Sequence, residues 1–151
     1  MNLQFVGTWM LGLLAIVSGP DGSDIRQDRE LLQGAWLLVA IEVNGQRVDD
    51  SNAQRRREEK DIVIVVQRDE FFVRHGERLY KGGTFKLDPS KRPRAIDITV
   101  EHVLSSTFAC IYDVQRDVLK VCQPIHPENR PTEFAGKADG KHMLYVLRRM
   151  Q

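Results

Sequence analysis

From Trp36 onward the chain is a succession of short apolar or alternating stretches. Each is long enough for one strand and is followed by a gap of hairpin size. Ile62-Val63-Ile64-Val65-Val66 is β-branched throughout, which favours an extended backbone over a helix. Phe71-Phe72-Val73 follows directly after Gln67-Arg68-Asp69-Glu70. Leu79 to Leu87 alternates, with Gly82 and Gly83 inside it marking a bulge or bend. Asp88-Pro89-Ser90-Lys91 has proline at the second position of a turn. Ala95 to Glu101 alternates cleanly between apolar and polar, the pattern of a half-buried strand. Phe108 to Val114 and Val118 to Cys122 make a further pair, joined by Gln115-Arg116-Asp117. Thr132 to Ala138 and His142 to Arg149 flank Asp139-Gly140, a two-residue hairpin signal, and Asn44-Gly45 is a second one. The sum is about eight or nine strands and no amphipathic helix of four turns, which predicts an all-β antiparallel sandwich or barrel.

Ahead of the strands lies a different kind of segment. Phe5 to Val17 carries no charge and is followed by Ser-Gly-Pro-Asp-Gly-Ser-Asp. It is too short for the roughly 20 residues of a membrane-spanning helix and suits the apolar core of a signal peptide. Cleavage is expected after Val17-Ser18-Gly19. The predicted organisation is a signal peptide at 1–19, a short polar linker at 20–30 and a barrel domain at 31–151. Within 21–33, "DRELLQ" is long enough for one helical turn. The expected location is exported (periplasmic, cell envelope or secreted), with no stable membrane insertion after cleavage.

With 151 residues, of which 28% are charged, the chain fits one soluble domain and neither a disordered tail nor a membrane bundle. A net charge of +1 gives no electrostatic reason to expect nucleic acid as partner. The one charge cluster, Arg55-Arg56-Arg57-Glu58-Glu59-Lys60, is of mixed sign and reads as a solvated loop.

Gly34-Ala35-Trp36, at the start of the first strand after a short helical turn, resembles the GxW signature of lipocalins. "LQGAW", "GGTFKLDPSKRPRAIDI", "RPTEF" and the closing "LYVLRR" together resemble an uncharacterised lipocalin-like domain family abundant in planctomycete bacteria, over Leu31 to Arg149. The resemblance implies an up-and-down barrel of about eight strands. It also implies structural roles: Gly34 lets the chain turn sharply into the strand, Trp36 plugs one end, and Arg148 or Arg149 packs on its ring. It implies no activity, since a fold does not determine one.

Residues that could carry chemistry are sparse. His75, His102, His126 and His142 show no ligand spacing with one another or with cysteine, so neither a metal site nor a cofactor is expected. His102 and Asp97 would point to opposite faces of a strand. No nucleophile triad, glycine-rich phosphate loop or paired-carboxylate motif is found, so no catalytic residue is assigned. The turn Lys86 to Arg94 has the charge to hold an anion or acidic partner, or to guard a sheet edge. The prolines and aromatics of "VCQPIHPENRPTEF" suggest a partner-binding loop. Two functional readings stand side by side. In one, the barrel encloses a small apolar or amphipathic ligand; in the other it is filled by side chains and acts through its loops as a protein-interaction or envelope module.

Cys110 and Cys122 make a candidate disulfide whose fate depends on register. A three-residue loop Gln115-Arg116-Asp117 sets them directly opposite each other. A two-residue loop Arg116-Asp117 sets Cys122 against Ile111, and the bond is then disfavoured.

Overall fold

The computed structural model describes residues 22–49, 61–101 and 104–151. One helix, α1 (Gly22–Leu32), precedes nine strands: β1 (Gly34–Val43), β2 (Gln46–Asp49), β3 (Ile62–Gln67), β4 (Glu70–His75), β5 (Arg78–Asp88), β6 (Ala95–Val100), β7 (Ser106–Val114), β8 (Val118–Pro124) and β9 (His142–Arg149). All neighbours are antiparallel, in the order β2-β1-β3-β4-β5-β6-β7-β8-β9, and β9 pairs back onto β1. Eight strands therefore close an up-and-down barrel of lipocalin-like form, and β2 is an extra strand beside β1.

Turn chemistry accounts for much of the path. Asn44 (φ 52°) and Gly45 (φ 71°) both have positive φ, the two-residue hairpin geometry that glycine and asparagine tolerate best, and they join β1 to β2. Arg68 also has positive φ (56°), in the Arg68-Asp69 turn between β3 and β4. That arrangement is held by Gln33, whose Oε1 accepts from the Arg68 amide at 2.7 Å while its Nε2 donates to the Arg68 carbonyl at 3.2 Å.

Two bulges adjust which side chains face inward. At Val39 the β1–β9 pairing slips by one residue, so Trp36 and Leu38 face inward before it and Ile41 after it. On β5 the slip falls at Gly82, with Phe71 opposite Gly83 and Phe72 opposite Lys81. A Cβ at Gly82 would lie 2.3 Å from the Phe71 ring, and one at Gly83 would lie 1.9 Å from the Thr99 carbonyl oxygen. The glycine pair is thus what lets Phe71 lie across the wall and β6 come close.

Several sequence expectations are corrected. From residue 22 on, the stretch expected as a polar linker at 20–30 is not a linker with one helical turn but part of the three-turn helix α1 (Gly22–Leu32), packed on the barrel end. Thr132 to Ala138 is not a strand. β8 pairs directly with β9, and 125–141 is a long excursion between them. Asp139-Gly140 still turns, with the Gly140 amide donating to the Lys137 carbonyl at 3.2 Å, but it joins no hairpin. The excursion crosses the outer wall instead. The Gly45 amide donates to the Gly136 carbonyl at 2.6 Å, and the Gly136 amide to Glu42 Oε1 at 3.0 Å. A Cβ at Gly136 would fall 1.9 Å from the Glu42 carbonyl oxygen. Phe134 covers a second, small apolar cluster on the outside, formed by Ile111, Cys122 and Leu144.

The main core fills the end of the barrel beneath α1. Trp36 is fully buried there, and its Nε1 donates to the Leu32 carbonyl at 2.8 Å. The Arg149 guanidinium stacks on the indole, 4.1 Å from the ring centroid. Its nitrogens donate to the carbonyls of Leu31, Gln33 (2.8 Å) and Arg116 (2.6 Å). The helix end, which would otherwise leave carbonyls unpaired, is thereby satisfied by the two residues that close the barrel. Replacing Trp36 with alanine is expected to cost about 3–5 kcal/mol. Urea unfolding checks this, and an unchanged midpoint would remove the indole from its role.

Candidate functional site

Inward-facing residues differ systematically from one end of the barrel to the other. Near α1 they are buried: Trp36, Val66, Leu87, Cys110, Tyr112, Val114, Leu119 and Leu147. Toward the far end they are half-buried: Leu38, Ile64, Phe71, Ile98, Phe108, Val121 and Tyr145. One half is packed and the other hollow. The hollow half holds a cavity of about 330 Å³, running from Leu32 to Ile62, Val100 and Gln123 at the open end. Its walls are Leu, Ile, Val and Phe except for two polar groups, the Gln123 amide and the Tyr145 hydroxyl. Among the described residues lining it, none is Asp, Glu, Lys, Arg or His.

The polar pair lies on adjacent strands. Tyr145 stands opposite Val121 on the β8–β9 ladder, and Gln123 stands opposite Met143 one step nearer the opening. Among the described residues the Tyr145 hydroxyl donates only to the Met143 thioether at 3.7 Å, a weak acceptor. Burial raises the pKa of Tyr145, so the phenol stays protonated at neutral pH. Around the opening Ile62, Tyr80, Ile125 and Leu104 are exposed, Leu104 at 84%.

The residues singled out from sequence fall elsewhere. Gly34 (φ 107°), Trp36 and Arg149 meet at the closed end and line no part of the open cavity. His75 and His126 are exposed and His142 is half-buried; His102 lies outside the described residues, as do the cluster at 55–60 and the segment 1–21. Among the described residues no group of three or more His, Cys, Asp or Glu could hold a metal. No helix of the described residues is long and apolar enough to cross a membrane.

Two cations of the basic turn are used internally. Arg92 Nη1 donates to the carbonyls of Pro89 (2.6 Å) and Lys91 (2.8 Å). Arg94 donates to both oxygens of Asp28 at 2.9 Å and to Asp113 at 2.6 Å. The Tyr112 hydroxyl donates to Asp28 at 2.6 Å, so this buried carboxylate accepts from two sides. An open groove of about 530 Å³ lies beside this network, but its Asp28 and Arg94 already neutralise each other, which makes them a clamp holding α1 to the rim. Nothing local marks Asp28, Tyr112, Gln123 or Tyr145 in the sequence. Their roles depend on partners as far as 84 residues away.

The proline-rich stretch is docked rather than free. Pro124 and Pro131 are buried and Phe134 covers the outer cluster. It also seals a gap in the wall, because β7 and β8 pair only from Ile111 to Val114. Below that the Ala109 amide donates to the Pro127 carbonyl at 2.9 Å, and Arg130 Nη1 to the Cys110 carbonyl at 2.6 Å.

The cysteines take the second of the two registers. Cys122 stands opposite Ile111, and the Gln115 amide donates to the Val118 carbonyl at 2.9 Å, leaving Arg116-Asp117 as a two-residue loop. Cys110 faces the barrel interior and Cys122 the outer cluster, and both thiols are free and buried. The candidate disulfide is therefore corrected, since side chains on opposite faces of a sheet cannot bond. No family model, curated protein or solved structure matches the chain.

Burial pushes the Cys110 thiol up to about 12 and raises Cys122 as well. Tyr112 is raised by burial and by its hydrogen bond to Asp28. Groups raised on folding favour the native state fully below their unfolded values and lose that contribution as pH climbs to the folded ones. Stability is therefore expected to hold through neutral pH and to fall from about pH 9 toward about pH 12, less steeply in Cys110→Ala. Urea unfolding across that range checks it. The unreduced, denatured protein should show both thiols alkylatable, and the native protein neither.

Proposed function

We propose that the barrel is a non-enzymatic binding module that takes a small apolar or amphipathic molecule into its hollow half. The observation that carries this is the cavity of about 330 Å³ with an almost wholly apolar lining. Binding pockets span about 300–1,000 Å³, so its size suits a ligand of modest length. A packed closed end and a hollow open end fit a cup better than a barrel filled throughout. That contrast is why we favour ligand binding over a filled interaction or envelope module working through its loops.

Native mass spectrometry of the purified protein is expected to detect a bound small molecule that is lost in Ile98→Trp, where the indole fills the space. Retention of the same adduct by Ile98→Trp would place it outside the cavity and overturn the reading.

We also propose that the chain is exported, on the strength of the uncharged run Phe5 to Val17. Cleavage after Gly19 would leave α1 whole, because the helix begins at Gly22. Protein taken from its native cell is expected to begin between Pro20 and Arg26, as read by mass spectrometry of the intact chain. An N-terminus at Met1 would contradict export with cleavage.

A further inference from the structure

We infer that the cavity selects molecules with an apolar body ending in one uncharged hydrogen-bonding group, and rejects the carboxylate built on the same body. The inference rests on the cavity being a ligand site, and deepens that reading by naming the class of ligand.

The placement of the polar atoms supports it. The deep wall, at Phe85, Ile96 and Leu147, offers no polar side chain, so a ligand must enter apolar end first. Its other end then arrives beside Gln123 and Tyr145. The phenol is a half-buried donor whose one acceptor among the described residues is a thioether sulfur, and it would gain from a hydroxyl or carbonyl oxygen there. The Gln123 amide adds a donor and an acceptor, which matches an alcohol, amide or ketone.

A carboxylate would meet the same two groups but, among the described residues that line the cavity, no positive charge. Burying an ionised group without a counter-ion costs far more than burying a neutral one. Among the described residues, the cations on the inward phase near the opening do not supply one. His75 and Arg78 face each other across the β4–β5 hairpin and are exposed to water. They belong to the opposite wall from β8 and β9, four strands away around the barrel between β5 and β9.

Octanol and octanoate are suitable probes, titrated calorimetrically into the full purified chain at a pH where the acid is ionised. Octanol is expected to bind at least about tenfold more tightly than octanoate. Tyr145→Phe should weaken octanol, and Gln123→Lys should turn the preference toward octanoate by adding the missing charge. Should either variant fail to fold, the wild-type ratio alone decides. Equal binding of the two probes, displaced together in Ile98→Trp, would overturn the charge selection and leave the cavity as a ligand site. Failure of both probes to bind would overturn the inference and the cavity reading together.

Discussion

The stack of Arg149 on Trp36 joins the last strand to the first and ties the end of α1 to both. A guanidinium has five donors in a plane, and here the plane faces the indole while its edge reaches three main-chain carbonyls. Two of those carbonyls end the helix and the third belongs to the β7–β8 turn, so one side chain fixes α1, β1 and β8 relative to β9. With the Leu32 carbonyl taken by the indole and that of Arg29 by Gln33 Nε2, the end of α1 leaves little for water to solvate. Lysine would keep the charge but not the planar stack or the fork.

The hollow half follows from the same economy. Large side chains cluster where the helix covers them, and the far end of the barrel has no such cover among the described residues. The bulges at Val39 and Gly82 keep apolar residues pointing inward on strands whose alternation would otherwise have gone out of phase. The wall therefore remains apolar around a cavity that the described side chains do not fill.

How far this was legible in sequence depended on the range of the interactions. Strands built on β-branching or alternation, the turn at Asn44-Gly45 and the bulge at Gly82-Gly83 carry their cause within a few residues and are readable there. The register of β7 and β8 could be narrowed to two possibilities and no further, because the choice depends on whether Gln115 joins the ladder. Thr132 to Ala138 misled because its composition suits a strand. Its backbone instead finds partners on β1, through the lack of a side chain at Gly136 and the carboxylate of Glu42. The helix was foreshortened since Asp28 reads as one more charge in a polar run. Its burial becomes visible only once Arg94 and Tyr112 arrive from distant strands. The cavity was the least legible feature of all, because a volume is the difference between a wall and its contents.

The pairing of β1 with β9 also has a kinetic side. Every other neighbouring pair in the eight-strand ring is closer in sequence, and this one spans nearly the whole domain, with Trp36 opposite Arg149. A chain made from its N-terminus holds the indole, the helix end and one edge of β1 without their partners until β9 has been synthesised. Until then it is an open sheet with unsatisfied edges, the kind of species that invites association with another chain. Loop closure over such a distance is also slow. The ring can therefore close only once β9 has been made, and until then the β1 and β8 edges that it joins stand unpaired.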